Sequence, residues 1–299
     1  MDENGSYGAA IVSKNDDYGG NLIERATYAL NSMLKSFDEV FYVDWGSEGI
    51  SLLEELKHDL DNKHKLKYIE ISPEKCEKIW DSKPNPQGLV KQAVCETIGR
   101  NIGLRRLSTD FLVSTNIDVL VPTKEQLVMF TRTDLLSPGA KRMISLEHVR
   151  SAGSRKDDVH KVLVEDVENN RHPFCEPGFG QQGRIAMDGG DLWSLVNGCG
   201  DFQIAHRDVW YAIKGFEETL LGRGYADSNI HKKAVMCGYE IAISWGFHIF
   251  HIGHDGGIAG GGGGTGDWNN PHFSLLDFNE ITNTDSWGVA DEDFEVKTL

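Results

Sequence analysis

The sequence is poor in cysteine. Its five cysteines, Cys76, Cys95, Cys175, Cys199 and Cys237, are odd in number, widely spaced and never arranged as a CxxC pair. That excludes a structural zinc site of the usual kind and points to reduced thiols rather than a disulfide framework. Positive charge is also short: 30 basic against 46 acidic residues leave a formal net charge of −16. Such a surface repels phosphate backbones and anionic lipid, and the one basic run, Leu104-Arg105-Arg106, is too short to reverse that. Nucleic acid is therefore not an expected partner. No apolar run approaches the length needed to span a bilayer, and the opening MDENGSYGAA lacks the basic and apolar regions of a signal peptide. The expectation is a cytoplasmic protein, at a membrane only peripherally and by recruitment.

What is present reads as an α/β protein. Strand-like and helix-like stretches alternate through residues 1–122. Strands fall at 9–13, 40–43, 66–71 and 111–122. Helices fall at 21–37, with Leu22, Ile23, Ala26, Leu30, Met33 and Leu34 at helical spacing, at 51–60, and from 89 to about Gly103. Strand–helix–strand order with short links implies a mostly parallel central sheet flanked by helices, with ligands at the carboxyl ends of the strands. Three of those ends are polar: Asn15-Asp16-Asp17, Asp44-Trp45-Gly46-Ser47 and Asn116-Ile117-Asp118. Further on, helices are expected at 124–130, 208–213 and 227–237, and strands at 143–145 and 241–252. The stretch 171–190 reads as loop, and glycine dominates 253–266. The acidic tail after Asn283 offers few anchors and is expected to fray.

Four constellations carry possible chemistry. In FLVSTNIDVLVP an Asn and an Asp stand two apart at a strand end, on one face by alternation. They suit a hard divalent cation completed by diphosphate oxygens, or else an Asx-type turn or a carboxylate paired with an arginine. His251 and His254 let two imidazoles approach one centre, or are one buried and one exposed histidine. This is not HExxH, so a zincin is disfavoured. Asp227, ahead of a helical run, is either a cap or a general base. The glycine run lacks the Lys-Ser or Lys-Thr of a Walker motif, leaving a flexible lid or a plain linker.

Taken together and in order, these stretches resemble a GT-A glycosyltransferase of the inverting, family-2-like branch. Asp44-Trp45-Gly46-Ser47 looks like the family's D-x-G-S turn. Ser114 to Asp118 looks like its DxD element in an N-x-D form. Residues 200–210, GDFQIAHRDVW, followed by Lys214-Gly215-Phe216-Glu217-Glu218, resemble the acceptor-side signature. Ala226-Asp227-Ser228 is similar to the segment of the inverting base, and Phe250 to His254 with Gly266-Asp267-Trp268 to the late histidine motif.

The resemblance implies a Rossmann-like GT-A sheet with an acceptor-side subregion: 1–122 as the nucleotide-sugar-binding half, 123–255 as the acceptor-side and catalytic half, and 256–299 as glycine-rich lid and acidic tail. It implies an enzyme moving a sugar from a nucleotide-diphosphate donor, UDP by preference, to a hydroxyl of a glycan or lipid-linked acceptor, using Mn2+ or Mg2+. Ser13, Asn15, Asp44, Gly46, Ser47 and Asn116 would bind the nucleotide. Asp118, His251 and His254 would bind metal, Asp227 would be the base, and Asp201, Phe202, Trp210 and Trp268 would meet acceptor or sugar. Asn116 stands where the element usually has its first acid, which leaves the site one negative charge fewer. That substitution motivates an alternative, a non-catalytic nucleotide-sugar or glycan-binding protein on the same fold. A hydrolase using His251, His254 and Asp255 is a third reading.

Overall fold

The computed structural model describes residues 5–84, 92–154, 158–168, 200–221, 226–241, 244–254 and 280–299. Strands β1 (Tyr7–Ser13), β2 (Glu39–Trp45), β3 (Leu66–Ile71) and β4 (Phe111–Thr115) run parallel in the order β3-β2-β1-β4. Every residue of β1, β2 and β4 is buried, as befits strands covered on both faces.

Helices α1 (Leu22–Ser36), α2 (Leu52–Leu56), α3 (Pro73–Asp81) and α4 (Glu96–Arg106) flank them. Alternation along β1 decides which helix meets which side chain. Ala9 and Ile11 join Leu22, Ala26, Leu30 and Met33 of α1 in one core. Ala10 and Val12 join Ile98 and Ile102 of α4 in the other. Helix α4 lies directly on the sheet because Gly99 and Gly103 face it; a Cβ on Gly103 would come within 2.9 Å of the Ala10 side chain.

The chain continues through β5 (Val119–Leu120), α5 (Lys124–Phe130), β6 (Leu135–Ile144), α6 (Leu146–Gly153), α7 (Val159–Glu168), β7 (Phe202–His206), α8 (Arg207–Ala212), α9 (Ala226–Met236), β8 (Glu240–Ile241), β9 (Ser244–Ile252) and β10 (Lys297–Thr298). Beyond β4 the sheet is mixed. Strand β7 is antiparallel to β4 and β6, β9 is parallel to β6, and β5 is antiparallel to β9.

Several expectations change. The strand expected over 111–122 breaks after Thr115. Residues 116–118 form a turn, with the Val119 amide 3.4 Å from the Asn116 carbonyl, and β5 then joins a different neighbour. Asn116 and Asp118 therefore do not share one strand face. The second helix ends at Leu56, and α4 starts at Glu96 rather than 89 and runs to Arg106. Helices α3, α6 and α7 were hidden by their charge. Ser72 caps α3 by accepting from the Lys75 amide, yet only Cys76, Ile79 and Trp80 of that helix are buried.

Residues 280–299 do not fray. Lys297 and Thr298 pair with β3, Trp287 is buried, and Arg106 donates to the carbonyls of Gly288 (2.9 Å) and Val289 (3.1 Å). These anchors are mainly backbone groups, which leave no apolar pattern. The loop expected at 171–190 and nearly all of the glycine-rich stretch lie outside the described residues.

Candidate active site

At the carboxyl ends of β1 and β2 a polar cradle forms. Ser13 and Asp44 are register partners. Both Asp44 oxygens are held by Ser47: its amide donates to Oδ1 at 2.9 Å and its hydroxyl to Oδ2 at 2.8 Å. The same hydroxyl accepts from the Asn15 amide at 2.8 Å. The Asn15 side chain donates to the Ile50 carbonyl and to Glu55, each at 3.0 Å. Gly46 closes the turn at φ +75°, where a side chain would be strained. Burial pushes the Asp44 carboxyl above its usual range; the two Ser47 bonds oppose this and nearby Glu70 adds to it. A carboxylate in that state gains from a new donor such as a ligand hydroxyl. Ser13, Asn15, Asp44, Gly46 and Ser47 are thus brought together.

A second cluster forms where β5 meets β9. Val119 pairs with His251, and the Ile252 amide donates to the Asp118 carbonyl at 3.0 Å. This register carries Asp118 to the histidines. Its Oδ2 lies 3.4 Å from His254 Nε2 and 3.7 Å from His251 Nε2. One ligand atom from each of the three residues falls within 4.8 Å of the others, and all three residues are buried. A carboxylate oxygen with two imidazole nitrogens is a donor set that fits a divalent transition ion.

Two arginines and one acid surround that cluster; the sequence left open a carboxylate paired with an arginine at Asp118 but named neither arginine. Arg25, on α1, donates through Nη1 to the same Asp118 Oδ2 at 2.5 Å. Its other nitrogens reach the Gly20 carbonyl at 3.2 Å and the Tyr18 carbonyl. The Tyr18 ring meets the His254 ring edge-on, with centroids 4.9 Å apart. Asp201 accepts at Oδ1 from the Asn116 amide at 3.1 Å and lies with Oδ2 2.7 Å from His251 Nδ1. Arg100, on α4, donates to Asn116 Oδ1, to Ser114 Oγ at 3.1 Å and to the Gly200 carbonyl at 3.3 Å. Asn116 thus joins the site through Asp201 and His251 rather than by flanking Asp118. The one early signal for Arg25 is its place on the apolar stripe of α1, beside Leu22, Ala26 and Ala29, where a charge needs a partner.

Asp227 sits in the first turn of α9, against residue 200: a Cβ added to Gly200 would meet the Asp227 Cβ at 2.7 Å. That sets it beside Asp201 in the same corner. Two acceptor-side assignments need correction. Phe202 and Trp210 are fully buried. Phe202 packs in the core with Val113 and Ile249, and Trp210 donates its indole N–H to the Leu112 carbonyl at 2.9 Å. Neither has a free face for a sugar. Trp268 lies outside the described residues. Glu217 and Glu218 are also buried, and they tie down the C-terminal segment. Glu218 takes donors from Lys83 (2.5 Å), Asn101 (3.0 Å) and the Gly288 amide (2.6 Å). Among the described residues no helix is long and apolar enough to cross a membrane.

No family model and no curated protein matches the sequence. Solved structures do match in shape. GalNAc-T7, crystallised with UDP, GalNAc and Mn2+, superposes with a TM-score of 0.51 at 13% identity, over 85% of this chain and 45% of that one. The mannosyltransferase PcManGT from Pyrobaculum calidifontis, in complex with GDP-Man and Mn2+, gives 0.42 at 16% identity over 83% and 57%. S. aureus TarS 1-349 gives 0.44 at 14% identity over 83% and 60%. The chain spans between 45% and 60% of the length of these solved chains. Its fold is α/β and GT-A-like: a large central sheet between helices, in the arrangement shared with GalNAc-T7.

Proposed function

We propose that this chain is a metal-dependent glycosyltransferase that moves a sugar, with inversion, from a nucleotide-diphosphate donor to a hydroxyl of a glycan or lipid-linked acceptor. The observation that carries this reading is the buried convergence of Asp118, His251 and His254 just past the carboxyl end of β4, on the edge of the parallel sheet where β1 and β2 carry the Asp44–Ser47–Asn15 cradle. In this reading Asp44 and Asn15 hold the nucleoside, with UDP the preferred carrier. Asp118, His251 and His254 hold the ion, Mn2+ ahead of Mg2+ because imidazole suits transition metals better than magnesium. When bound, the ion neutralises charge on the departing diphosphate. Asp227 takes the proton from the attacking acceptor hydroxyl. Asp201, at Nδ1, holds the His251 ring with its Nε2 turned to Asp118. Asn116 acts through Asp201 rather than as a direct ligand.

The test is thermal melting with UDP, GDP or dTDP, each with Mn2+ or EDTA, since a ligand of the native state raises the melting temperature by mass action. A manganese-dependent rise with one nucleotide, lost in Asp118→Ala, is expected. Asp227→Asn is expected to keep that rise and to lose transfer by about 10²–10⁴-fold. A rise without any transfer or donor hydrolysis selects the non-catalytic binding protein instead. No rise with any nucleotide sinks the donor site itself.

A further inference from the structure

Resting on that reading, we infer that Arg25 is a resident counter-ion which makes uptake of the divalent ion conditional on the donor diphosphate. Asp118 is the one carboxylate among the three candidate ligands, and the two imidazoles bring no charge when neutral. Arg25 already cancels it, through a contact of 2.5 Å between side chains that are 1% and 6% exposed. One bond further out, Asp201 is joined through Asn116 to Arg100, which itself pairs with Glu96 at 3.3 Å. An arriving dication therefore meets a ligand carboxylate whose charge a guanidinium already cancels.

Geometry sharpens the point. Arg25 donates to Oδ2, the same oxygen that faces both imidazole Nε2 atoms. An ion placed among the three ligands shares that oxygen with a guanidinium. Arg25 is also poorly placed to withdraw. It is buried, and it is held by the carbonyls of Gly20 and Tyr18, in the loop that carries Asn15 and packs Tyr18 against His254. Arginine stays charged at any working pH, so the repulsion persists. A nucleoside diphosphate brings the missing negative charge and offers oxygens to the ion and the guanidinium together. The pairing also accounts for a buried Asp118 in the ion-free protein: the arginine bears the cost of burial that metal would otherwise bear.

The experiment is a Mn2+ titration of the full chain, with free Mn2+ read by electron paramagnetic resonance, with and without UDP or GDP. In the wild type Mn2+ alone is expected to bind weakly and leave the melting temperature unchanged. The diphosphate should tighten binding by about 100-fold, near the upper end of ordinary coupling between linked sites. Arg25→Gln should melt lower in EDTA, because Asp118 loses its partner, and Mn2+ alone should now bind and restore the melt. Arg25→Lys keeps the charge and should keep the conditional behaviour. Mn2+ alone binding the wild type tightly enough to raise its melting temperature overturns the inference and leaves the transferase reading standing. So does a folded Arg25→Gln that binds Mn2+ alone no better than the wild type. If Arg25→Gln fails to fold, the wild-type coupling and Arg25→Lys decide. No response to any diphosphate in the wild type overturns both readings.

Discussion

Two of the charge clusters buried among the described residues are built differently. Around Glu218, the donors are Lys83, Asn101 and the Gly288 amide, each directed at a carboxylate oxygen from a different part of the chain. Glu217 beside it receives Thr282 and faces Lys233 at 3.5 Å, while Lys233 donates to the Gly215 carbonyl at 2.7 Å. Through Glu217 and Glu218 the segment 280–299 is joined to α4 and α9. Around Asp118, one guanidinium and two imidazoles converge on a single oxygen, and imidazoles change partners readily. The first cluster is complete as it stands and works as a clamp. The second is crowded on one oxygen, which suits a place where something else binds.

The largest effect expected from breaking this contrast is in the clamp. Glu218→Ala leaves the Gly288 amide and the half-buried Lys83 ammonium without their acceptor, and the loss should come to about 3 kcal/mol, the low end for breaking a buried pair because Lys83 keeps some water. Chemical denaturation should read that loss, and Mn2+ with nucleotide should recover none of it. If ligands do recover it, the clamp and the site are one unit and the contrast fails.

The clamp was almost illegible in the sequence, and the reason is physical. Its partners lie as far apart as Asn101, Glu218 and Gly288, and two of those contacts go to backbone groups that leave no residue pattern. In the sequence the Glu217-Glu218 pair resembled an acceptor-side signature; in the structure it is a tether. The parallel half of the sheet was legible, because β1, β2 and β4 are apolar runs closed by polar ends and α1 repeats its apolar positions every three or four residues. The candidate site was legible in its ligands but not in its surroundings. Asp118, His251 and His254 could be named from order and resemblance. What joins them is the antiparallel register of β5 on β9, and no local pattern gives the register between strands so far apart in the chain. Arg25 was passed over as one polar residue in an amphipathic helix. Phe202 and Trp210 were misplaced because an aromatic residue near a motif looks the same whether it faces a sugar or the core.

A second way to sharpen the contrast uses pH. Burial pushes the Lys233 ammonium down to about 8 from its ordinary 10.5, with Glu217 opposing the shift. Between those values the unfolded chain keeps a proton that the folded chain has released. Stability should therefore rise as pH goes from about 8 to about 10.5, by an amount on the order of 3 kcal/mol. Below pH 8 both states hold the proton and the full penalty of burying the charge remains. Lys233→Met should remove this rise. Urea melts across that range read it directly, and an unchanged slope in Lys233→Met would mean that other groups produce it.

The smallest effect lies at the edge of the site. Asp201 orients His251 through Nδ1 and is itself held by Asn116. In Asp201→Asn the new amide can still accept from His251, but its NH2 then faces the Asn116 NH2. Asn116 cannot turn its oxygen round without giving up Arg100. The ring should be held less firmly. Loss of such a supporting group typically costs about 10–100-fold in metal affinity, about 1.4–2.7 kcal/mol by the usual conversion. Mn2+ affinity measured with nucleotide present should fall by that factor, while the melt in EDTA stays close to wild type. A melt that drops as far as that of Glu218→Ala would put Asp201 with the clamp. An unchanged Mn2+ affinity would return it to the acceptor side, where the sequence first placed it.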